Sequence, residues 1–150
     1  MLMMSKKLTW LFVIAAALTT IAACRPTNGS SEAISTAPST QATTGVYQTL
    51  TIDSFAAILA NNRDDYTILN VHIPYAGEIE DTDANIPYND IEALTAALPD
   101  KDAPIILYCR SGNMSEQASH ALLELGYTQV WDVPGGMNAW RESGRELVNE

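Results

Sequence analysis

The 150-residue chain is poor in cysteine and in positive charge. Two cysteines, Cys24 and Cys109, cannot supply the disulfide framework of a small cross-linked scaffold. Eight Lys and Arg stand against 18 Asp and Glu, and setting aside Lys6 and Lys7 leaves six basic side chains in the rest of the chain. Such an acidic surface repels phosphates, which excludes nucleic acid as a partner and electrostatic docking on anionic headgroups. Only two histidines are present, and no His/Cys cluster has a zinc spacing. The acidic stretch Glu78 to Asp83 lacks the spacing of a calcium loop, so it reads as a solvated loop. No metal and no cofactor is expected. No internal repeat occurs, and no apolar run reaches the roughly 20 residues of a spanning helix. What remains, with 47% hydrophobic residues, is one compact domain plus a targeting segment, read as a monomer.

The targeting segment comes first. Lys6 and Lys7 precede an apolar run from Leu8 to Ala23, the pattern of a secretory leader. The run ends Ile21-Ala22-Ala23-Cys24, which resembles the bacterial lipobox. On that resemblance residues 1–23 are a lipoprotein signal peptide and Cys24 becomes a lipidated N-terminus. The domain is then exported and held on the extracytoplasmic side of the membrane. The alternative is an uncleaved anchor with an incidental cysteine. Residues 24–45 are rich in Thr, Ser, Pro, Gly and Ala, too little apolar surface to offset ordering entropy, and read as a flexible tether.

The folded domain is expected over 46–150. Tyr47–Leu50 reads as a short strand, and Asp53 or Ser54 as the cap of a helix with Phe55, Ile58 and Leu59 on one face. Tyr66–Val71 is a β-rich run and Ala84–Pro87 a weak one. Asn89 or Asp90 caps a second helix carrying Ile91, Leu94 and Leu98, which Pro99 stops. Pro104–Tyr108 is continuously apolar, as in a strand buried on both faces. Met114, Ala118, Ala121, Leu122 and Leu125 mark a third helix, with Gly126 at its C′ position. Gln129–Val133 is a further strand, and Met137–Glu142 starts a last helix. The alternation predicts an α/β domain with a mostly parallel central sheet and helices on both faces.

Ligands of such sheets bind beyond the carboxyl ends of the strands. Cys109-Arg110-Ser111-Gly112-Asn113-Met114-Ser115 begins at one. Backbone N–H groups of a turn and a helix start favour the thiolate, the nucleophilic form of cysteine, and can hold an oxyanion. Gly112 lets the loop close, and Arg110 adds a full charge. The competing reading makes Cys109 a small buried apolar residue. The polar, turn-forming Arg-Ser-Gly-Asn speaks against it, as does a thiol left unpaired in an oxidising compartment.

The Cys109 loop, then Leu125-Gly126-Tyr127, then Val133-Pro134-Gly135-Gly136-Met137-Asn138-Ala139-Trp140, resembles the rhodanese-like domain, over roughly Tyr47 to Arg145. The resemblance implies a sulfurtransferase. Its cysteine takes a sulfane sulfur from a small sulfur-containing anion or persulfide donor and passes it, as a persulfide, to a thiol or cyanide acceptor. Cys109 stands at the nucleophile position. Arg110, Ser111, Gly112, Asn113 and Met114, with Ser115 following, form the substrate loop, and His72 lines the pocket or replaces a structural Arg. Gly135, Gly136 and Trp140 read as a tight turn and an aromatic packed on the sheet. His120 reads as a surface residue.

Three departures from the family pattern stand out. Asn70-Val71-His72 occupies the place of Asp-x-Arg, the Gly-His-Ile-Pro-Gly-Ala stretch is missing, and the sixth loop position is Met114. Less positive charge near the cysteine weakens the case for thiosulfate as the donor. A Cys-x5-Arg phosphatase loop would need Arg at Ser115. A non-catalytic module typically loses the cysteine. A thiol redox carrier would need an external resolving thiol, and it is the runner-up.

Overall fold

The computed structural model describes residues 45–149. The expected leader, Cys24 and nearly all of the expected tether lie outside the described residues.

Five strands, β1 (Gln48–Thr49), β2 (Thr67–Asn70), β3 (Ala84–Asn85), β4 (Ile105–Tyr108) and β5 (Val130–Asp132), form one sheet in the order β1-β5-β4-β2-β3. Each neighbouring pair is parallel. The helices α1 (Ile52–Asn61), α2 (Ile91–Ala97), α3 (Asn113–Glu124) and α4 (Gly136–Glu142) supply the crossovers and the two outer layers. β4 shows how the sheet is covered. Its side chains alternate, so Ile105 and Leu107 pack with Leu94 of α2, Leu98 just past its end, and Ala118 and Leu122 of α3. Ile106 and Tyr108 face the other way, onto Phe55 of α1 and Met137 and Trp140 of α4. All four β4 residues are buried, as a doubly covered central strand requires. The expected α/β class, parallel sheet and two helical faces are therefore present.

Two local expectations need correction. The first helix is capped by Thr51, whose Oγ1 accepts the Ser54 N–H at 3.1 Å. The helix thus begins earlier than a cap at Asp53 or Ser54 allows, and Asp53 sits in its first turn, where a carboxylate suits the dipole. Asp90 does cap α2, accepting from the Ala93 N–H at 3.0 Å. On α3, Leu125 is exposed while Leu123 is buried. The helix ends at Glu124, so Leu125 belongs to the turn-off that left-handed Gly126 completes.

The edge beside β2 is pinned by Asp83. One carboxylate oxygen pairs with Arg63 at 2.6 Å and the other accepts the Ile68 N–H at 2.7 Å. The buried Tyr108 hydroxyl ties the same loop from inside. It accepts the Ile79 N–H at 3.0 Å and lies 2.6 Å from Thr82 Oγ1, and burial pushes its pKa up to about 12. The acidic loop read as solvated therefore has a clamped, partly buried inner side.

Candidate active site

β4 delivers Cys109 to the carboxyl edge of the sheet, at the point where the strand order turns from β2 to β4. The chain then turns through Arg110–Gly112 into α3. Gly112 is the N-cap at φ +99°, a left-handed conformation that favours glycine, and a Cβ there would come within 3.0 Å of the Gly135 nitrogen. This turn aims the Gly112 N–H at Cys109 Sγ, 3.1 Å away. Ser115, one turn into α3, holds its hydroxyl 3.7 Å from the same sulfur and donates to Gly112 O at 3.0 Å.

The loop is braced from below by α4. The Met137 N–H donates to Cys109 O and the Asn138 N–H to Arg110 O, each at 2.9 Å. So close an approach leaves no room at Gly136, where a Cβ would lie 1.9 Å from Cys109 O. The Gly135-Gly136 pair is thus more than a turn: it is the contact between α4 and the cysteine's own carbonyl. Trp140 packs in the core beside Phe55, ring centroids 5.9 Å apart, and donates Nε1–H to Glu146 O at 2.9 Å.

The residues singled out from the sequence separate into three groups. Cys109, Gly112 and Ser115 converge at the sulfur, which is buried with its residue 1% exposed. Arg110, Ser111 and Asn113 are exposed around it. Met114 is half-buried and turns toward the core shared by α2 and α3.

His72 lies past the end of β2 and is buried. Its backbone N–H donates to Asn70 Oδ1 at 3.0 Å, and neither ring nitrogen has a hydrogen-bond partner among the described residues. Burial, then the Arg110 charge, pushes its pKa below the usual histidine range, so the ring is neutral at pH 7. Asn70 uses its amide to bind Gly77 O at 3.0 Å. The place of the Asp-x-Arg pair is thus taken by two neutral side chains, of which Asn70 makes local hydrogen bonds while the His72 ring makes none to the described residues. His120 is exposed and stacks on Tyr47, centroids 4.6 Å apart.

One site residue escaped the sequence reading. Asp132, at the end of β5, is 2% exposed, and its Oδ2 accepts the Tyr47 hydroxyl at 2.8 Å while Oδ1 has no hydrogen-bond partner among the described residues. Burial raises its carboxyl pKa. The available signal was alternation: Val130 and Asp132 share the buried parity of one strand. Asp132 borders a cavity of about 310 Å³ whose wall includes Tyr47, Ser111, Gly112, Glu116 and Pro134. A larger cavity of about 540 Å³, around Arg63, Asp81 and Asp83, opens at the opposite edge of the sheet, away from Cys109. Among the described residues no three His, Cys, Asp or Glu side chains converge on a metal position.

Comparison with known proteins agrees with this geometry. A family model described as the rhodanese-like domain matches residues 51–143. A thiosulfate sulfurtransferase GlpE of Pseudoalteromonas translucida is 32% identical over 104 residues, covering 69% of this chain and 91% of its own length. A sulfurtransferase of Allochromatium vinosum is 32% identical over 88 residues, covering 57% of this chain and 80% of its own. Among solved structures, a rhodanese-related protein from Thermoplasma volcanium superposes with a TM-score of 0.57 at 27% identity. It covers 69% of this chain and all of its own.

Proposed function

The chain belongs to the rhodanese-like domain family, of sulfurtransferase-like class, and from that premise we propose that it carries a sulfane sulfur on Cys109 between a small donor and a thiol or cyanide acceptor. The observation that carries this reading is the convergence of the Gly112 N–H and the Ser115 hydroxyl on one sulfur at a strand end. The Cys109 thiolate attacks the outer sulfur of the donor. With thiosulfate, an S–S bond to Cys109 forms, the sulfur–sulfur bond of the donor breaks, and sulfite leaves with the electron pair. An acceptor thiolate then attacks the terminal sulfur of the persulfide, and Cys109 departs as the thiolate. The loop amides hold the donor anion and the persulfide.

Mass spectrometry of Cys109 after incubation with thiosulfate, polysulfide and glutathione persulfide tests the reading. A one-sulfur adduct is expected with at least one donor. A glutathione mixed disulfide in its place would favour the redox carrier.

The donor preference is open to a direct test at Met114. Met114→Arg places a cation near the donor anion, with its stem kept on the apolar face that Met114 now covers. The expected gain for thiosulfate is roughly 1 kcal/mol, about fivefold in kcat/KM, after desolvation and screening. The gain shrinks at high salt, and a neutral donor shows little change. Equal effects on both donors would mean that Met114 acts through loop shape.

We also propose that Cys24 is lipidated and tethers the domain on the extracytoplasmic side. Among the described residues no helix is long and apolar enough to cross a membrane. Cys24→Ser is expected to release the domain or leave it unprocessed, with the rate of the purified domain unchanged. Membrane retention of a correctly cleaved Cys24→Ser protein would refute the anchor.

A further inference from the structure

The cavity beside the Cys109 loop has an unbalanced charge. Asp132 supplies a buried carboxylate with one oxygen unpartnered, and Glu116 adds a second carboxylate from α3. Among the described residues no Lys or Arg borders the cavity. The Ser115 hydroxyl lies near enough to Asp132 to hold its pKa down, but it donates to Gly112 O at 3.0 Å, and Asp132 Oδ1 has no hydrogen-bond partner among the described residues. A buried acceptor without a donor is costly, and a second negative charge nearby increases the cost. Burial raises the Asp132 pKa, Ser115, Tyr47 and the Val133 backbone lower it in part, and the Glu116 charge raises it further.

The rest of the wall narrows the ligand. Two carboxylates are too few for a calcium ion, which takes six to eight oxygens. A primary ammonium offers three donors and accepts nothing, which matches the two carboxylates and the Ser111 hydroxyl. Pro134 and the Tyr47 ring present surface to a short carbon chain. Gly112 links this cavity to the chemistry: it forms part of the wall, and its N–H donates to Cys109 Sγ at 3.1 Å.

We propose that this cavity seats the ammonium group of the sulfur acceptor, so that Cys109 serves a small aminothiol. The inference rests on the sulfur-transfer reading above. In the step concerned, the acceptor thiolate forms a bond to the terminal sulfur of the Cys109 persulfide. The Cys109 sulfur–sulfur bond breaks with its electron pair left on Sγ, and the proton lost by the acceptor returns to one of the two products. No external oxidant or reductant is involved.

The test loads the full chain with sulfur and measures its discharge by cysteamine, 2-mercaptoethanol and mercaptoacetate. Each rate is divided by that of the same thiol with a small-molecule persulfide. At low ionic strength cysteamine is expected to exceed 2-mercaptoethanol by about tenfold, the scale of one charge-assisted contact, with mercaptoacetate slowest. Glu116→Gln, an exposed change on α3, is expected to reduce the preference severalfold. Asp132→Asn is expected to do the same wherever it retains the wild-type circular dichroism. Equal normalised rates in the wild type, or a preference that survives Glu116→Gln, would overturn the proposal. If no thiol discharges Cys109, the sulfur-transfer reading fails, and ethylammonium titrated against the full chain decides the cavity on its own. Saturable NMR shifts at Tyr47 and Ser111 that Glu116→Gln weakens support the cation site, and their absence rejects it.

Discussion

Cys109→Ser is expected to remove sulfur transfer to the level of the uncatalysed reaction, a loss of at least about a thousandfold, while the protein keeps its fold. The loss is large because serine cannot form the persulfide, so no partial mechanism survives. Retention of the fold has to be argued differently from the way the sequence invites. A loop outside the core would tolerate any small residue, yet Cys109 is buried and packs with Val71, Leu107 and Ala118. The substitution is tolerated because the sulfur already sits in a polar niche. The Gly112 N–H that points at Sγ can donate to a hydroxyl instead, and the Ser115 hydroxyl lies beside it. The new oxygen is therefore partnered where it is buried, which avoids the penalty of an unsatisfied polar atom. Thiosulfate:cyanide activity and near-ultraviolet circular dichroism measure the two halves of the prediction. Activity retained in Cys109→Ser would rule out the persulfide mechanism.

Gly136→Ala is expected to be the most damaging single methyl group in the described domain. It combines a left-handed φ of +49° with a Cβ only 1.9 Å from Cys109 O, and that oxygen is held by the Met137 N–H. Neither partner is a flexible side chain, so α4 or the cysteine loop must move. A loss of roughly 3 kcal/mol or more follows from overlap and strain together, and on a domain this size that is a fall in Tm on the order of 15 °C. Because the same shift drags the Cys109 carbonyl, sulfur transfer should fall further than stability alone accounts for, even at low temperature. Gly126→Ala is the control. Its φ is also positive, at +89°, but no non-neighbouring atom of the described residues lies within 4 Å of the added Cβ. It should cost only about 1 kcal/mol of backbone strain and leave the rate unaltered. Equal effects of the two substitutions on Tm would show that the α4 contact is not tight.

Local features of the chain determined the frame of this protein. An apolar run of strand length, a polar turn with a glycine and an amphipathic helix suffice to put Cys109 at the edge of a sheet and at the start of α3. Alternation along Ile105–Tyr108 set which side chains face which helical layer, because the two-residue period of a strand is intrinsic to the backbone. Helix ends were less legible. Thr51, Asp53 and Ser54 are all competent caps, and the choice fell to where the chain leaves β1. What only the tertiary structure decided is the surroundings of the sulfur. Asp132 reaches the loop because β5 lies beside β4, and Tyr47 reaches Asp132 across a separation of 85 residues. Gly136 meets Cys109 O because α4 packs its first turn under the loop. His72 feels Arg110 because β2 is the other neighbour of β4. Parallel strands joined by crossovers gather their carboxyl ends from distant parts of the chain onto one edge. The loop's own chemistry is therefore local, whereas the charge, room and bracing around it are set by strand order.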